Sequence, residues 1–127
     1  MTKQAIDSVR VVLFDEKGRF LLVVEDDDPN AKLPGGKFEP GETPEQAVAR
    51  EIAEEVPEGV SDVSFASELL NHDGVSKRFI YTGKVDSQIA APGEGVDELV
   101  YATPDALPDT KHAGHILAAV KDVLASS

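Results

Sequence analysis

Apolar and polar positions along the chain fall into short blocks with two different periods. Residues 4–14 (QAIDSVRVVLF) are rich in Val and Ile and partly alternate, which predicts a strand. Asp15, Glu16, Lys17 and Gly18 carry a turn signal. Residues 19–25 (RFLLVVE) then predict a second strand, whose near-continuous apolar run suits a sheet covered on both faces. Residues 26–30 read as a polar loop, 33–36 as too heavily punctuated for regular structure, and 39–42 as a tight turn. Residues 43–56 give the clearest helix: Thr43 caps it, Pro44 suits the first helical position, and Gln46 closes a capping box. Pro57 ends it. Strands follow at 61–70 and 76–85, joined by Asn71, His72, Asp73 and Gly74. A loop over 86–97, a short strand over 98–102 and a helix from about 112 to 125 complete the chain. This order predicts a mixed sheet between helices, an α/β (α+β) architecture, in one domain spanning residues 1–127.

The helix over 43–56 carries an unusual charge pattern. At 100° per residue, Val48, Ile52 and Val56 form a stripe to be buried, with Ala49 beside it. Glu51, Glu54 and Glu55 occupy the adjoining arc, so Glu51 faces its like at i+3 and i+4. Each such pair costs a helix roughly 0.2–0.5 kcal/mol, and Arg50 alone is near enough in sequence to relieve them. A solvated glutamate face is the plain alternative, but such faces usually mix signs. This arc carries one sign and follows Gly35 and Gly36, whose carbonyls are natural oxygen ligands. Hard divalent cations take oxygen donors, and a cation would turn the repulsion into a site.

Composition narrows the chemistry. Net charge is −12, from 12 basic and 24 acidic residues, and the basic ones are scattered. Nucleic-acid polymers and anionic membranes are therefore not expected as partners. A phosphate-bearing small molecule would need cations between itself and the protein. With no cysteine, disulfides, thiolate metal sites and cysteine nucleophiles are excluded. No apolar run approaches the ~20 residues of a membrane span. The start of the chain lacks the pattern of a secretory signal, so a cytoplasmic location is expected.

The stretch from Gly36 to Glu55, GKFEPGETPEQAVAREIAEE, resembles the Nudix box, G-x5-E-x7-R-E-U-x-E-E-x-G-U, and matches every fixed position through Glu55. Leu33, Pro34 and Gly35 before it, and the run Glu42-Thr-Pro-Glu-Gln-Ala, resemble the MutT-like branch. The sequence departs from the box at Pro57 and Glu58, where Gly and an aliphatic residue are expected; Gly59 and Val60 would serve after a two-residue insertion. The resemblance implies an αβα sandwich and a hydrolase of phosphoanhydride bonds that uses Mg²⁺ or Mn²⁺. It implies Glu51, Glu54 and Glu55 as metal ligands with the carbonyl of Gly35, Arg50 as their orienter and Glu42 as its partner. Glu51 is the implied base, with Glu94 as the loop candidate for a base or further ligand and Asp97 and Glu98 as its rivals. Lys37 is either a phosphate contact or a surface lysine, and Arg78 or Lys77 would assist the metals in holding phosphate.

The marks of several other branches are missing. No proline lies between Pro57 and Pro92, there is no tryptophan, Tyr81 comes too late for a dinucleoside polyphosphate hydrolase, and no cysteine is available for an isomerase. A (deoxy)nucleoside triphosphate pyrophosphohydrolase remains, with other nucleotides such as ADP-ribose or a nucleotide sugar, or a non-catalytic nucleotide-sensing module, as alternatives. The expected partner is a small nucleotide, bound by a monomer or homodimer. His72 reads as a solvated turn residue, and His112 and His115 as surface or capping positions.

Overall fold

The computed structural model describes residues 5–126. Seven strands and two helices follow one another as β1 (Ser8–Phe14), β2 (Phe20–Glu25), β3 (Asp28–Lys32), β4 (Gly35–Lys37), α1 (Pro44–Glu55), β5 (Val60–Leu70), β6 (Lys77–Val85), β7 (Val96–Ala102) and α2 (Ala113–Ser126). The strands make one sheet in the order β3-β2-β1-β6-β5, with β4 joined to β1 and β7 to β2. β1 and β6 run parallel and all other pairs antiparallel, so the sheet is mixed as expected.

Strand alternation decides which helix each side chain meets. Val9, Val11 and Leu13 join Leu21 and Val23 in a core under α1, closed by Ala47, Val48 and Val56. Val12 joins Phe20, Leu22 and Ile80 in a second core under α2, closed by Ile116, Ala119, Val120 and Val123. Each large side chain buried this way stabilises the fold by about 1.5–3 kcal/mol. Both faces of β1 and β2 are thus covered, and the architecture is an αβα sandwich. No helix among the described residues is long and apolar enough to cross a membrane.

Four elements differ from the sequence expectation. The first strand begins at Ser8, not at residue 4, which itself lies outside the described residues. The expected polar loop over 26–30 instead contains the start of β3, because Glu25 pairs with Asp28 across a two-residue turn. Asp28 stiffens that hairpin by accepting hydrogen bonds from the backbone and side chain of Asn30. The heavily punctuated segment contains β4, paired with β1 from Gly35 opposite Arg10 to Lys37 opposite Ser8. Gly35 makes this possible: at φ +140° a Cβ would stand 2.1 Å from the Val9 carbonyl oxygen, so only glycine lets the strands approach. Finally, β7 starts at Val96, inside the expected loop.

The exit of α1 shows how the chain manages without the glycine the box expects after Glu55. Val56 caps the helix by donating its N–H to the Ile52 carbonyl. The Glu55 carbonyl accepts from the Gly93 N–H at 2.9 Å. Any Cβ at residue 93 would collide with the Glu54 carbonyl oxygen at 1.9 Å. The loop before β7 therefore docks on the C-terminal end of α1 and delivers Glu94 beside it.

Candidate active site

Residues 39–55 form one hydrogen-bonded unit. Thr43 accepts from the Gln46 N–H and Gln46 accepts from the Thr43 N–H, completing the capping box. One turn later, Arg50 donates to both carboxylate oxygens of Glu42, at 2.6 and 2.9 Å. It also donates to the Lys37 carbonyl at 3.1 Å, to Glu51 at 2.9 Å and to Glu54 at 3.4 Å. A bidentate guanidinium holds a carboxylate in a fixed plane, which lysine would not do. These bonds hold the Glu42 carboxyl below the usual carboxylate range and raise the Arg50 guanidinium above its ordinary value.

The buried stripe of α1 contains Val48 and Val56 as expected, with Ile52 packed against the same core, but Ala47 takes the place beside it expected of Ala49. Ala47 and Val48 are buried with Val56, Ile52 is partly covered and Ala49 is exposed. Glu51 and Glu55 are buried as well, at 8% and 6% exposure, whereas the Glu54 side chain is 53% exposed. The glutamate arc is thus split, because the helix packs its edge on the short strand β4. Gly36 has no side chain there, and a Cβ on it would sit 2.6 Å from Glu51 Oε1. Gly35 donates its N–H to Glu55 Oε1 at 3.3 Å.

Two buried carboxylates in contact are an unstable arrangement. The Glu55 carboxyl is held well above the usual range, first by burial and then by the hydrogen bond and charge of Glu51, with Gly35 pulling the other way. Whether a divalent cation fits can be judged from this donor set. The carboxylate and carbonyl oxygens are the hard ligands such ions take, and the repulsion between Glu51 and Glu55 is what a cation would relieve. As the side chains stand, among the described residues no three acidic or histidine groups converge on one point. Glu54, turned towards Arg50, would have to rotate inward.

Around these groups lies an open pocket of about 400 Å³, lined also by Glu25, Asp26, Asp27, Glu94, Arg10, Lys32 and Lys37. Asp97 and Glu98 do not line it. A larger cavity of about 880 Å³ adjoins it on the α2 side, sharing Arg10, Lys32 and Lys37, and reaches Arg78, His72, His112 and His115. Lys77 points elsewhere, pairing with Glu68 at 3.4 Å. The paired carboxylates, the glycine strand and the arginine clasp all fall within one match to a family model, the NUDIX domain, over residues 5–120. The chain belongs to the NUDIX domain family.

Relatives and solved structures agree with this NUDIX assignment at different depths. A Bacillus subtilis (strain 168) protein named as a candidate 8-oxo-dGTP diphosphatase is 47% identical over 45 residues, 35% of this chain. Those residues span 30% of that curated relative's length. An ADP-ribose pyrophosphatase from Streptococcus suis superposes with a TM-score of 0.76 at 19% identity, over 96% of this chain and 91% of that one. The NUDIX domain of Shewanella oneidensis NrtR, crystallised with ADP ribose, gives 0.71 at 19% over 97% and 90%. A MutT structure from work on Aliivibrio salmonicida and Vibrio cholerae gives 0.67 at 18% over 91% and 98%. At these identities the likeness is one of fold.

Reasoning from the sequence missed several groups of this NUDIX domain's site. Arg10 was absorbed into a strand, although a lone charge in the run VRVVLF was a visible signal. Its guanidinium is largely withdrawn from water, donates to the Leu33 carbonyl at 3.0 Å and lies within the field of Glu55, Glu25 and Glu51. Glu25, Asp26 and Asp27 line the pocket because β2 pairs with β3, which the sequence alone did not reveal. The histidines read as surface residues also meet at one place: the His72 and His115 rings lie 5.9 Å apart, while His112 contacts Asp28 at 3.1 Å.

Proposed function

We propose that this chain is a divalent-metal-dependent hydrolase of nucleoside diphosphate-linked substrates, with a (deoxy)nucleoside triphosphate cleaved to nucleoside monophosphate and pyrophosphate as its first candidate reaction. The observation that carries this reading is the pairing of Glu51 and Glu55, two buried carboxylates in contact. Evolution of a stable helix alone would not retain such a pair, which costs several kcal/mol of desolvation if charged. Family membership, and the diphosphatase and pyrophosphatase names of relatives, support a hydrolase acting on pyrophosphate bonds.

In this reading Glu51, Glu54, Glu55 and the Gly35 carbonyl hold Mg²⁺, or Mn²⁺ in its place. When bound there, a metal would supply neutralisation of phosphate charge and a more nucleophilic water near neutral pH. Arg50 keeps Glu51 and Glu54 oriented while Glu42 fixes Arg50 from the opposite side. Glu51 or Glu94 takes the proton from the attacking water, and pyrophosphate leaves from the far side of the phosphorus. Lys37 and Arg10, at the junction of the two cavities, contact the phosphates.

The size of the adjoining cavity supports a second reading, in which ADP-ribose or a nucleotide sugar is the substrate, since about 880 Å³ holds more than a nucleoside. Turnover of a panel of ribo- and deoxynucleoside triphosphates, ADP-ribose and nucleotide sugars, each with Mg²⁺ and Mn²⁺, separates the readings. Monophosphate and pyrophosphate from a triphosphate are expected. Cleavage of a sugar nucleotide alone would replace the substrate assignment, and tight binding without any product would make the chain a sensor.

A further inference from the structure

Basic side chains in this acidic chain extend beyond the pocket that holds the glutamates. Arg10, Lys32 and Lys37 border both cavities, but Arg78, His72 and His115 line only the larger one, on the side away from the glutamates. The strand register explains the placement. Lys37 lies opposite Ser8 and Ser8 opposite Arg78, so the three share one face of the sheet. With strands about 4.8 Å apart, Lys37 and Arg78 stand roughly 10 Å from each other.

Arg78 is half-buried, and its guanidinium makes no hydrogen bond or ion pair among the described residues. Its charged neighbour is another arginine, Arg10. Lys32 has Glu25 at 3.0 Å and His112 has Asp28, but no carboxylate serves Arg78. The larger cavity has a single acidic residue in its wall, Asp73, and that carboxylate is committed to its own turn through Val75, Ser76 N–H and the Ser76 hydroxyl. Among the described residues no Phe, Tyr or Trp lines the cavity, whereas a pocket built for a neutral ring usually offers one. A partly desolvated guanidinium in the field of a second one is unfavourable unless an anion sits with it.

We propose that Arg78, with His72 and His115 at the rim, is a distal anion site, so that the preferred substrate carries a phosphate monoester apart from the diphosphate that is cleaved. This rests on the proposed hydrolytic reading of the acidic pocket, but its test does not. Calorimetric titration in the absence of divalent metal compares adenosine 3′,5′-bisphosphate with adenosine 5′-monophosphate. The bisphosphate should bind at least about tenfold more tightly, the size of one charge-assisted contact. In Arg78→Gln the two ligands should bind alike, and in the His72→Gln, His115→Gln double variant the difference should shrink. Equal or undetectable binding of both ligands to the unaltered protein overturns the site, and a preference that survives Arg78→Gln overturns its assignment to Arg78. Because neither titration requires turnover, an inactive nucleotide panel with the bisphosphate preference intact would sink the hydrolase reading and support the anion site.

Discussion

Beside α1, carboxylates outnumber cations; Glu51, Glu54 and Glu55 come from one helix, with Glu25, Asp26, Asp27 and Glu94 brought in from the β2–β3 turn and the loop before β7. Beside α2, cations prevail, arriving from β1, β3, β4 and β6, with histidines from the turn before β6 and the start of α2. The two ends of the cleft also handle charge differently. At the acidic end Arg50 is saturated by Glu42, Glu51 and Glu54, and Glu55, buried beside Glu51 without a cation of its own among the described residues, is held towards its protonated form. At the basic end Arg78 has no counter-charge among the described residues. Each end is incomplete in the opposite sense, and a molecule with metal-bound phosphates at one side and an anion at the other would complete both.

Substitutions at the two ends should therefore fail in different ways. Glu54→Gln and Glu55→Gln should each lower kcat by roughly 10²-fold or more, as expected when a group acting on the reacting centre is lost, with the far-ultraviolet dichroism unchanged. Arg78→Gln should leave kcat within a few-fold and raise KM. If kcat collapses equally at both ends, the division of labour between them is wrong. Near-normal turnover in both glutamine variants would show that the metals sit elsewhere.

The adjacent glycines sharpen the contrast within the acidic end. A methyl group on Gly35 meets the Val9 backbone at 2.1 Å and needs φ +140°, a region closed to alanine. Gly35→Ala should cost about 2–4 kcal/mol, read as a lower urea midpoint. A methyl group on Gly36 meets the far end of the Glu51 side chain, the carboxylate that Arg50 holds, at 2.6 Å. That end can move, so Gly36→Ala should leave the urea midpoint nearly unchanged and reduce turnover. Equal destabilisation by both would mean that Gly36 serves the backbone and not the carboxylate.

Legibility of the two ends in the sequence follows from how they are assembled. Glu42, Arg50, Glu51, Glu54 and Glu55 lie within fourteen consecutive residues, so helix periodicity and fixed spacing alone place them together. The capping box was equally local, and Thr43 and Gln46 make it as expected. Even there, the burial of Glu51 and Glu55 was not legible, because it depends on β4 approaching α1 without side chains. The basic end depends on the register of β1 against β4 and β6, and on α2 returning over the sheet at the end of the chain. Residues 10, 37, 72, 78 and 115 have no common spacing to notice. Most element positions were legible from apolar periodicity, whereas β3 and β4 were not, since Asp28, Pro29, Gly35 and Gly36 have low strand propensity and pair through tertiary context.

The smallest expected effect bears on why the acidic end is built at the expense of stability. With its carboxyl held above the usual range by burial and by Glu51, Glu55 binds its proton more tightly in the folded chain than in the unfolded one. Such a group favours folding fully below the unfolded value of about 4.3, and that contribution is lost as pH rises towards the folded value. Glu42, held low by Arg50, titrates below this window. His115, held low by desolvation and the facing Arg78, is neutral in both states above about pH 7. Between pH 7 and 9 the metal-free protein should therefore lose thermal stability through Glu55. Glu55→Gln should flatten that slope and raise the melting temperature at pH 8, by about 4 °C for each kcal/mol relieved. Magnesium should restore the unaltered protein at pH 8 and act less on the variant, because the carboxylate it would stabilise has been removed. A glutamine variant less stable than the parent at pH 8 would show that the Glu51 and Glu55 pair holds the fold together instead of straining it.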